Sequence, residues 1–154
     1  MITFLLGVGD RHLENLLLAT SGHLFHIDFG FILGKDPKIF PPPMKLSYEM
    51  VQCMGGVDSP EATRFRSYCY LAFNALRKSA NLIINLFSLM VDSNVHDIRD
   101  DRDKAVYKVL ENFQLNKSDE EAIAYFRDLI NTSLNSMMPQ MMENMHKVAQ
   151  YFRR

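Results

Sequence analysis

Several side chains capable of acid–base and metal chemistry are concentrated near the start of the chain. The stretch DRHLEN supplies Asp10, His12 and Asn15, and Asp28 follows thirteen residues after Asn15. An amide carbonyl and a carboxylate are hard oxygen ligands that suit Mg²⁺, which leaves coordination positions for phosphate oxygens. An imidazole can exchange a proton near neutral pH, so His12 could accept a hydroxyl proton. The pattern therefore indicates a metal and phosphate site with a general base beside it.

Each of these signals has an ordinary structural explanation when it is taken alone. The D-F-G triplet of Asp28, Phe29 and Gly30 is common in turns after strands. A single histidine is more often a core or surface residue than a catalytic one. The complete pattern is D-R-H-x-x-N, a gap the size of a hairpin, and then H-I-D-F-G. This combination is more specific than its parts, and we take it as the functional signal.

A predicted β-hairpin would position these side chains. Two apolar runs, NLLLA and LFHIDFGFI, flank the Gly-containing turn TSGH at 20–23. Asn15 would begin the first strand and Asp28 would end the second, so both would lie at the open end and share one metal ion. Gly30 would free the backbone where the chain turns away from the metal. Next, LGKDPKIFPPPMKL (33–46) contains three consecutive prolines, which predict a loop.

Helical signals dominate after Gly56. One helix begins at Asp58 or Ser59 and presents its apolar residues at helical spacing. The segment SANLIINLFSLMVD is apolar nearly all round, so we expect a buried central helix there. DRDKAVYKVLENF predicts a shorter helix, and Ser118 opens another through a capping box. Pro139 is expected to kink that helix or to separate it from a last one.

The composition is that of a globular domain. The chain has 154 residues, with 17 Lys and Arg against 18 Asp and Glu, and a net charge near −1. This balance predicts no nucleic-acid partner. Two cysteines without a C-x-x-C pattern indicate a reducing compartment and favour small core residues. No apolar run is long enough to span a bilayer, and we expect no signal peptide.

The motifs resemble one enzyme family. GDRHLENLLL (9–18) and HIDFGFILG (26–34) are similar to the catalytic loop and metal-binding segment of phosphatidylinositol 3- and 4-kinases and their protein-kinase relatives. That family carries D-R-H-x-x-N where ordinary protein kinases carry H-R-D-x-x-x-x-N. GKDPKIFPPPMKL (34–46), MGG (54–56) and HKVAQYFRR (146–154) resemble its class III branch of endosomal and autophagic phosphatidylinositol 3-kinases. The proline-ended loop and the basic C-terminus favour a lipid kinase over a protein kinase.

The resemblance implies an α+β fold, the C-terminal lobe of a kinase with a short β-hairpin and a mainly α-helical bundle. Its parts would be a catalytic loop at 9–17, an activation segment at 28–46, a helical bundle at 47–137 and a C-terminal amphipathic helix at 138–154. In the family, the phosphate-binding loop and its lysine lie on an N-terminal lobe, and no lysine precedes the catalytic loop here. We therefore expect a C-terminal lobe alone, inactive by itself. The alternative is a non-catalytic lobe that binds a membrane or a partner.

The resemblance also implies a role for each site residue. Asn15 and Asp28 would hold Mg²⁺, or Mn²⁺, on the phosphates of ATP. His12 would take the proton of the inositol 3-hydroxyl, and Asp10 would orient that hydroxyl or the histidine. Arg11 would be structural, for example through pairing with a loop carboxylate. Implied partners are phosphatidylinositol in membranes and regulatory kinase subunits, on the cytoplasmic face of endosomal and autophagic membranes.

The activation segment carries information about the substrate. Lys35 and Lys38 stand against Asp36, two positive charges against one negative. Such a weak net charge suits a headgroup that bears only its phosphodiester and offers little to further phosphates. The alternative is that both lysines are only solvated.

The last helix has a separate signal. Its end is basic, with Arg153 and Arg154 after Phe152. The apolar residues at helical spacing are Met138, Met141, Met142, Met145, Val148, Ala149 and Phe152. Basic ends and flexible apolar side chains suit a membrane interface, although a methionine stripe is more often part of a core. The resemblance favours the membrane.

Overall fold

The computed structural model describes residues 1–39, 41–42, 44–90 and 102–151, and at 102–103 and 137–151 it describes the backbone alone. Two β-strands form an antiparallel hairpin, β1 (Leu16–Leu18) and β2 (Leu24–His26). The helices are α1 (Ile2–Leu5), α2 (Tyr48–Cys53), α3 (Pro60–Lys78), α4 (Ala80–Met90), α5 (Arg102–Phe113) and α6 (Asp119–Tyr151). The predicted α+β architecture, a small hairpin followed by a helical bundle, is confirmed.

The hairpin forms where the alternation of apolar runs and turn residues predicts it. Leu16 pairs with His26 and Leu18 pairs with Leu24. Asn15 ends a short 3₁₀ turn just before β1, and β2 ends two residues before Asp28. Most of the apolar side chains on this hairpin are exposed, with Leu18 at 70%. The hairpin therefore has no apolar core of its own among the described residues, and the segments at its two ends hold it in place.

Local capping signals set the starts of the helices. Ser59 caps α3 by accepting the Ala62 N–H, with Pro60 as the first helical residue. The predicted capping box opens α6, where the Ser118 N–H donates to Glu121 and the Glu121 N–H donates back. The helix α2 was not predicted from the sequence, and Ser47 caps it in the same way as Ser59 caps α3.

An aromatic cluster joins the first helix to the bundle. The ring of Phe126 on α6 stacks on Phe73 of α3 at 4.8 Å and meets Phe4 of α1 edge-on at 5.2 Å. The side-chain amide of Asn112 on α5 donates to the carbonyl oxygens of Phe4 and Leu5. These contacts fix α1, and α1 leads directly into the catalytic loop.

The prediction that α4 is a buried central helix is wrong. Phe87 and Ala80 are buried, but Leu82 and Leu89 are 62% and 74% exposed. The helix packs against α3 and α5 with one face, so the leucines on its other face stay in solvent in the part of the chain that is described. Apolar content alone does not say how many neighbours a helix has.

Two further expectations need correction. Of the two expectations at Pro139, a separation into two helices is wrong, because α6 continues through this residue, and a kink there stays a prediction. A proline removes one N–H from the hydrogen-bond ladder and its ring clashes with the carbonyl four residues earlier, but the bonds on both sides can still continue the helix. Cys53 is exposed at the end of α2 and is not a core residue, whereas Cys69 is partly buried against the core. Among the described residues, we find no helix with the length and apolarity to span a bilayer.

Arg77 closes the turn between α5 and α6 from the end of α3. Its side chain is only 7% exposed. The guanidinium donates to the carbonyl oxygens of Gln114, Lys117 and Ser118. Since one side chain satisfies three carbonyl groups of this turn, it joins three helices at a single point.

We expect Arg77→Ala to lower the free energy of unfolding by about 3 kcal/mol, because partly buried carbonyl groups lose a charged donor. Urea unfolding followed by far-ultraviolet circular dichroism measures this change. The matched control is Arg127→Ala on α6, since that side chain is 58% exposed. Equal effects of the two substitutions would contradict the role of Arg77.

Candidate active site

Backbone pairing holds the catalytic loop against the start of the activation segment. The Gly9 N–H donates to the Phe31 carbonyl at 2.8 Å, and the Gly34 N–H donates to the Gly7 carbonyl at 2.8 Å. The segments approach so closely that a Cβ on Gly9 would lie 2.1 Å from the carbonyl oxygen of Lys35. Only glycine fits there, so Gly9 sets the distance between the two segments.

The two aspartates of the site have unusual backbones. Asp10 and Asp28 lie in the left-handed region, with φ of 51° and 57°. For residues other than glycine this conformation is uncommon and costs on the order of 1–3 kcal/mol. Such strain occurs where surrounding contacts enforce it, commonly at functional sites. Leu33 and Gln114 share this conformation, so it does not by itself mark a site, and the assignment of the two aspartates stays a prediction.

Arg11 ties the catalytic loop to the D-F-G segment. Its guanidinium donates to the carbonyl oxygens of Gly9, Ile27 and Asp28, and it lies 5.6 Å above the ring of Phe29. The expected structural role of Arg11 is thus consistent with its contacts, but its partners are main-chain carbonyls and not a loop carboxylate. A planar guanidinium with five donors suits such a set of acceptors.

Asn15, Asp10 and His12 are close together in the catalytic loop. The Asn15 amide nitrogen donates to the Asp10 carbonyl at 2.8 Å and lies 3.3 Å from Nε2 of His12. Nε2 of His12 is 3.7 Å from the Asp10 carboxylate. Asn15 is 7% exposed, whereas the His12 side chain is 44% exposed. The catalytic loop therefore exposes the imidazole of His12, whereas Asn15 is buried and held by its hydrogen bond to Asp10.

Asn15 and Asp28 lie at the same open end of the hairpin, as predicted. The Ile27 N–H donates to the Asn15 carbonyl, which places Asp28 one residue beyond this pair. That their side chains share one metal ion stays a prediction.

The donor atoms of this pair fit Mg²⁺. The Asn15 side-chain nitrogen donates to the Asp10 carbonyl, so the side-chain oxygen of Asn15 remains as a ligand atom. Asp28 uses Oδ1 to accept the Gly30 N–H at 3.0 Å, which leaves Oδ2 for a metal. One amide oxygen and one carboxylate match the preference of Mg²⁺ in phosphate sites. Within the described ranges, no group of three or more His, Cys, Asp and Glu side chains is placed to bind a metal.

Gly30 has a different role from the predicted one. The left-handed turn occurs at Asp28, and Gly30 does not have a positive φ. A Cβ on Gly30 would lie 3.3 Å from Oδ1 of Asp28. Gly30 thus lets its own N–H approach the carboxylate and fix the rotation of that side chain.

The activation segment contains an ion pair that the sequence-based charge count left out. Lys45 contacts the carboxylate of Asp36, and that carboxylate also accepts the Lys38 N–H at 2.9 Å. Lys45 therefore pairs with Asp36, a partner that the charge count of Lys35, Lys38 and Asp36 left out. Lys35 and Lys38 are exposed, and their contact with a headgroup stays a prediction.

Two titratable groups near the site have a pKa below their usual value. Burial opposes ionisation of Asp36, but hydrogen bonds from Lys45, Lys38 and Asp10 outweigh it and lower the pKa of that carboxyl. Burial and the nearby charge of Arg11 lower the pKa of His26 on β2. Asp36 is therefore charged and His26 is neutral at pH 7.

The far end of the activation segment is anchored on α6. The Met44 N–H donates to the hydroxyl of Ser133 at 3.0 Å, and Ser133 is fully buried. Leu46 then enters the core. The predicted membrane residues Phe152, Arg153 and Arg154 lie outside the described residues, so their role stays a prediction.

Sequence reasoning missed the close contact of the two segments and the acceptors of Arg11. The pattern G-V-G before D-R-H, with Gly34 downstream, could have signalled a close backbone approach. Nothing in the sequence marks a main-chain carbonyl as the partner of an arginine.

Comparison with known proteins gives one consistent result. The family model described as phosphatidylinositol 3- and 4-kinase matches residues 1–100. Phosphatidylinositol 3-kinase pik3 of Schizosaccharomyces pombe is 60% identical over 153 residues, 99% of this chain and 19% of the relative. Phosphatidylinositol 3-kinase VPS34 is 57% identical in Arabidopsis thaliana and 51% identical in Saccharomyces cerevisiae, over 99% of this chain and 19% and 18% of those relatives.

The chain thus spans about a fifth of the length of the curated relatives that it matches. The match to the family model covers the catalytic loop, the hairpin and the activation segment, which are the parts that form the candidate site. The resemblance noted in the motifs is confirmed, and the chain belongs to the phosphatidylinositol 3- and 4-kinase family.

Proposed function

We propose that this chain is the C-terminal lobe of a kinase that transfers the γ-phosphoryl group of ATP to the 3-hydroxyl of phosphatidylinositol. The observation that carries the proposal is the arrangement of the catalytic loop. His12 lies beside Asp10 and Asn15, and Arg11 ties this loop to the backbone of Asp28. Relatives named phosphatidylinositol 3-kinase over the whole chain support the choice of lipid and hydroxyl.

Each residue has a defined task in this reaction. His12 is accessible and accepts the proton of the attacking hydroxyl. Asp10, at 3.7 Å, orients the imidazole. Asn15 and Asp28 would hold Mg²⁺, which neutralises charge on the phosphate oxygens when it is bound. Arg11 contributes to positioning, since it holds the catalytic loop against the backbone of Ile27 and Asp28.

The activation segment would contact the lipid headgroup. Lys35 and Lys38 are exposed on it, where their positive charges would attract the headgroup phosphodiester. A dense cluster of basic residues, which further phosphates on the inositol ring would need, does not occur in 28–46. This composition favours phosphatidylinositol over its phosphorylated forms.

The test uses a complete catalytic chain. In a chimera, residues 1–154 replace the matching segment of the Schizosaccharomyces pombe relative, which is 60% identical. The purified chimera is incubated with radiolabelled ATP, Mg²⁺ and phosphatidylinositol vesicles, and the product is separated by chromatography. We expect phosphatidylinositol 3-phosphate; a 4-phosphate product, or no lipid product beside an active parent enzyme, would contradict the proposal.

We propose in addition that the protein works in the cytoplasm as a peripheral protein of endosomal and autophagic membranes, in vesicle trafficking and autophagy. Phosphatidylinositol is itself a membrane lipid, so the kinase must reach a bilayer surface. The basic C-terminal sequence HKVAQYFRR at 146–154 would supply part of this contact. Regulatory kinase-associated subunits would bind parts of the longer protein.

We expect Arg153→Ala with Arg154→Ala to weaken binding of the chimera to anionic vesicles by about tenfold to thirtyfold, because each basic residue near such a surface contributes about 1 kcal/mol. Phe152→Asp should weaken binding further, since it replaces an apolar anchor with a repelled charge. Vesicle flotation measures both effects. If residues 152–154 serve the core, Phe152→Asp would instead lower the melting temperature by several degrees and leave flotation unchanged.

A further inference from the structure

The carboxylate of Asp36 occupies the junction between the activation segment and the catalytic loop. One oxygen, Oδ2, accepts the backbone N–H of Asp10 at 3.1 Å and contacts Nζ of Lys45. The other oxygen, Oδ1, accepts the backbone N–H of Lys38 at 2.9 Å. The Asp36 side chain is 5% exposed. Burial of a charged carboxylate costs free energy, and here hydrogen bonds from three donors offset that cost.

The donors of Asp36 belong to three parts of the site. Asp10 lies in the catalytic loop, in the strained left-handed conformation described above. Lys38 lies on the exposed part of the activation segment, and Lys45 lies where that segment returns to the bundle. The ion pair therefore joins Asp36 to Lys45, and the bond to Asp10 connects this pair to the catalytic loop that carries His12.

We propose that Asp36 is a positioning residue for phosphoryl transfer, which with Lys45 couples the conformation of the activation segment to that of the catalytic loop. The proposal rests on the proposed function and adds a residue outside the D-R-H-x-x-N and D-F-G motifs. Asp36 contacts neither a reacting atom nor a metal ligand side chain; it acts through the backbone of Asp10. Loss of the ion pair should therefore reduce turnover more than it reduces binding of ATP.

A double-mutant cycle in the chimera tests the coupling. Lys45→Met leaves a buried carboxylate without its counter-ion, and Asp36→Asn removes its charge. We expect each to lower kcat for lipid phosphorylation by about tenfold, with KM for ATP within about twofold of the parent value. The double variant should have a kcat at least as high as that of the less active single variant, because it no longer contains an uncompensated charge. Multiplication of the two single effects to about a hundredfold would overturn the coupling.

Two further variants separate positioning from general stability. Lys45→Arg keeps the ion pair and should restore at least half of the parent kcat. Asp128→Asn on α6 is the matched control, since that carboxylate is 72% exposed and should leave kcat and KM unchanged. Failure of Lys45→Arg to restore turnover in a folded chimera would contradict a role for the pair.

Hydrogen exchange gives a readout that does not depend on activity. In the Asp36→Ala chimera, the backbone amides of Asp10 and Lys38 should exchange about tenfold faster or more, since each loses a charged acceptor. Asp128→Asn should not change them. Unchanged exchange at both amides would contradict the proposed role of Asp36 even if activity fell. A parent chimera that made no phosphatidylinositol 3-phosphate would contradict the proposed function, and the exchange result would still decide whether Asp36 fixes the catalytic loop.

Discussion

Replacing His12 with alanine is expected to lower kcat for phosphatidylinositol phosphorylation by the chimera by about 10²–10⁴-fold, the usual contribution of a general base. The imidazole is 44% exposed and lies 3.7 Å from the Asp10 carboxylate. It is therefore accessible to a hydroxyl and lies beside a carboxylate that can orient it. Initial rates with radiolabelled ATP measure the loss.

The matched control is His23→Ala. His23 lies in the turn between β1 and β2 and is exposed, and its side chain bonds the hydroxyl of the nearby Ser21. This variant should keep the parent rate. The His12→Ala chimera should keep its melting temperature, because the His12 side chain is largely exposed and not part of the core. A folded His12→Ala chimera with a near-parental rate would exclude His12 as the base.

Arg11→Lys is expected to lower kcat by about a hundredfold although the charge is kept. Lysine cannot reach the carbonyl oxygens of Ile27 and Asp28 together, because its single ammonium group lacks the fork of a guanidinium. The D-F-G segment would then shift relative to the catalytic loop. A misplacement of about 1 Å in an active site can cost a hundredfold in rate.

The same substitution at Arg64 provides the control for Arg11→Lys, since Arg64 is exposed on α3. Arg64→Lys should leave kcat unchanged. Kinetics with varied ATP would show whether Arg11→Lys also weakens nucleotide binding. If Arg11→Lys retained more than half of the parent kcat, the carbonyl contacts of Arg11 would not be needed to align the two segments.

Local signals in the sequence were sufficient for the elements that position the site. The hairpin followed from two apolar runs and a turn, and the starts of α3 and α6 followed from Ser59 and Ser118. Each of these signals depends on neighbours within a few residues. The candidate catalytic residues were likewise placed together because Asn15 and Asp28 flank one hairpin.

Contacts between distant segments were not predictable in the same way. The sequence indicates Asp36 only as a charge that offsets the neighbouring lysines. Its bond to Asp10 spans 26 residues, and no local pattern predicts such a bond. The exposure of Leu82 and Leu89 on α4 depends on which helices surround α4. Neither hydrophobic periodicity nor a charge count contains the positions of such partners, so these features required the structure.

The hairpin affects how this chain would behave in solution. Its sheet has two strands, so among the described residues each strand keeps one unpaired edge, and Leu17, Leu18, Leu24 and Phe25 on it are exposed. Strands of three residues offer few positions for pairing with a second copy, so the exposed apolar side chains matter more than the edges. Residues 1–154 produced alone are therefore prone to association through these side chains at high concentration, and their solubility would improve when a covering surface is supplied in the same chain.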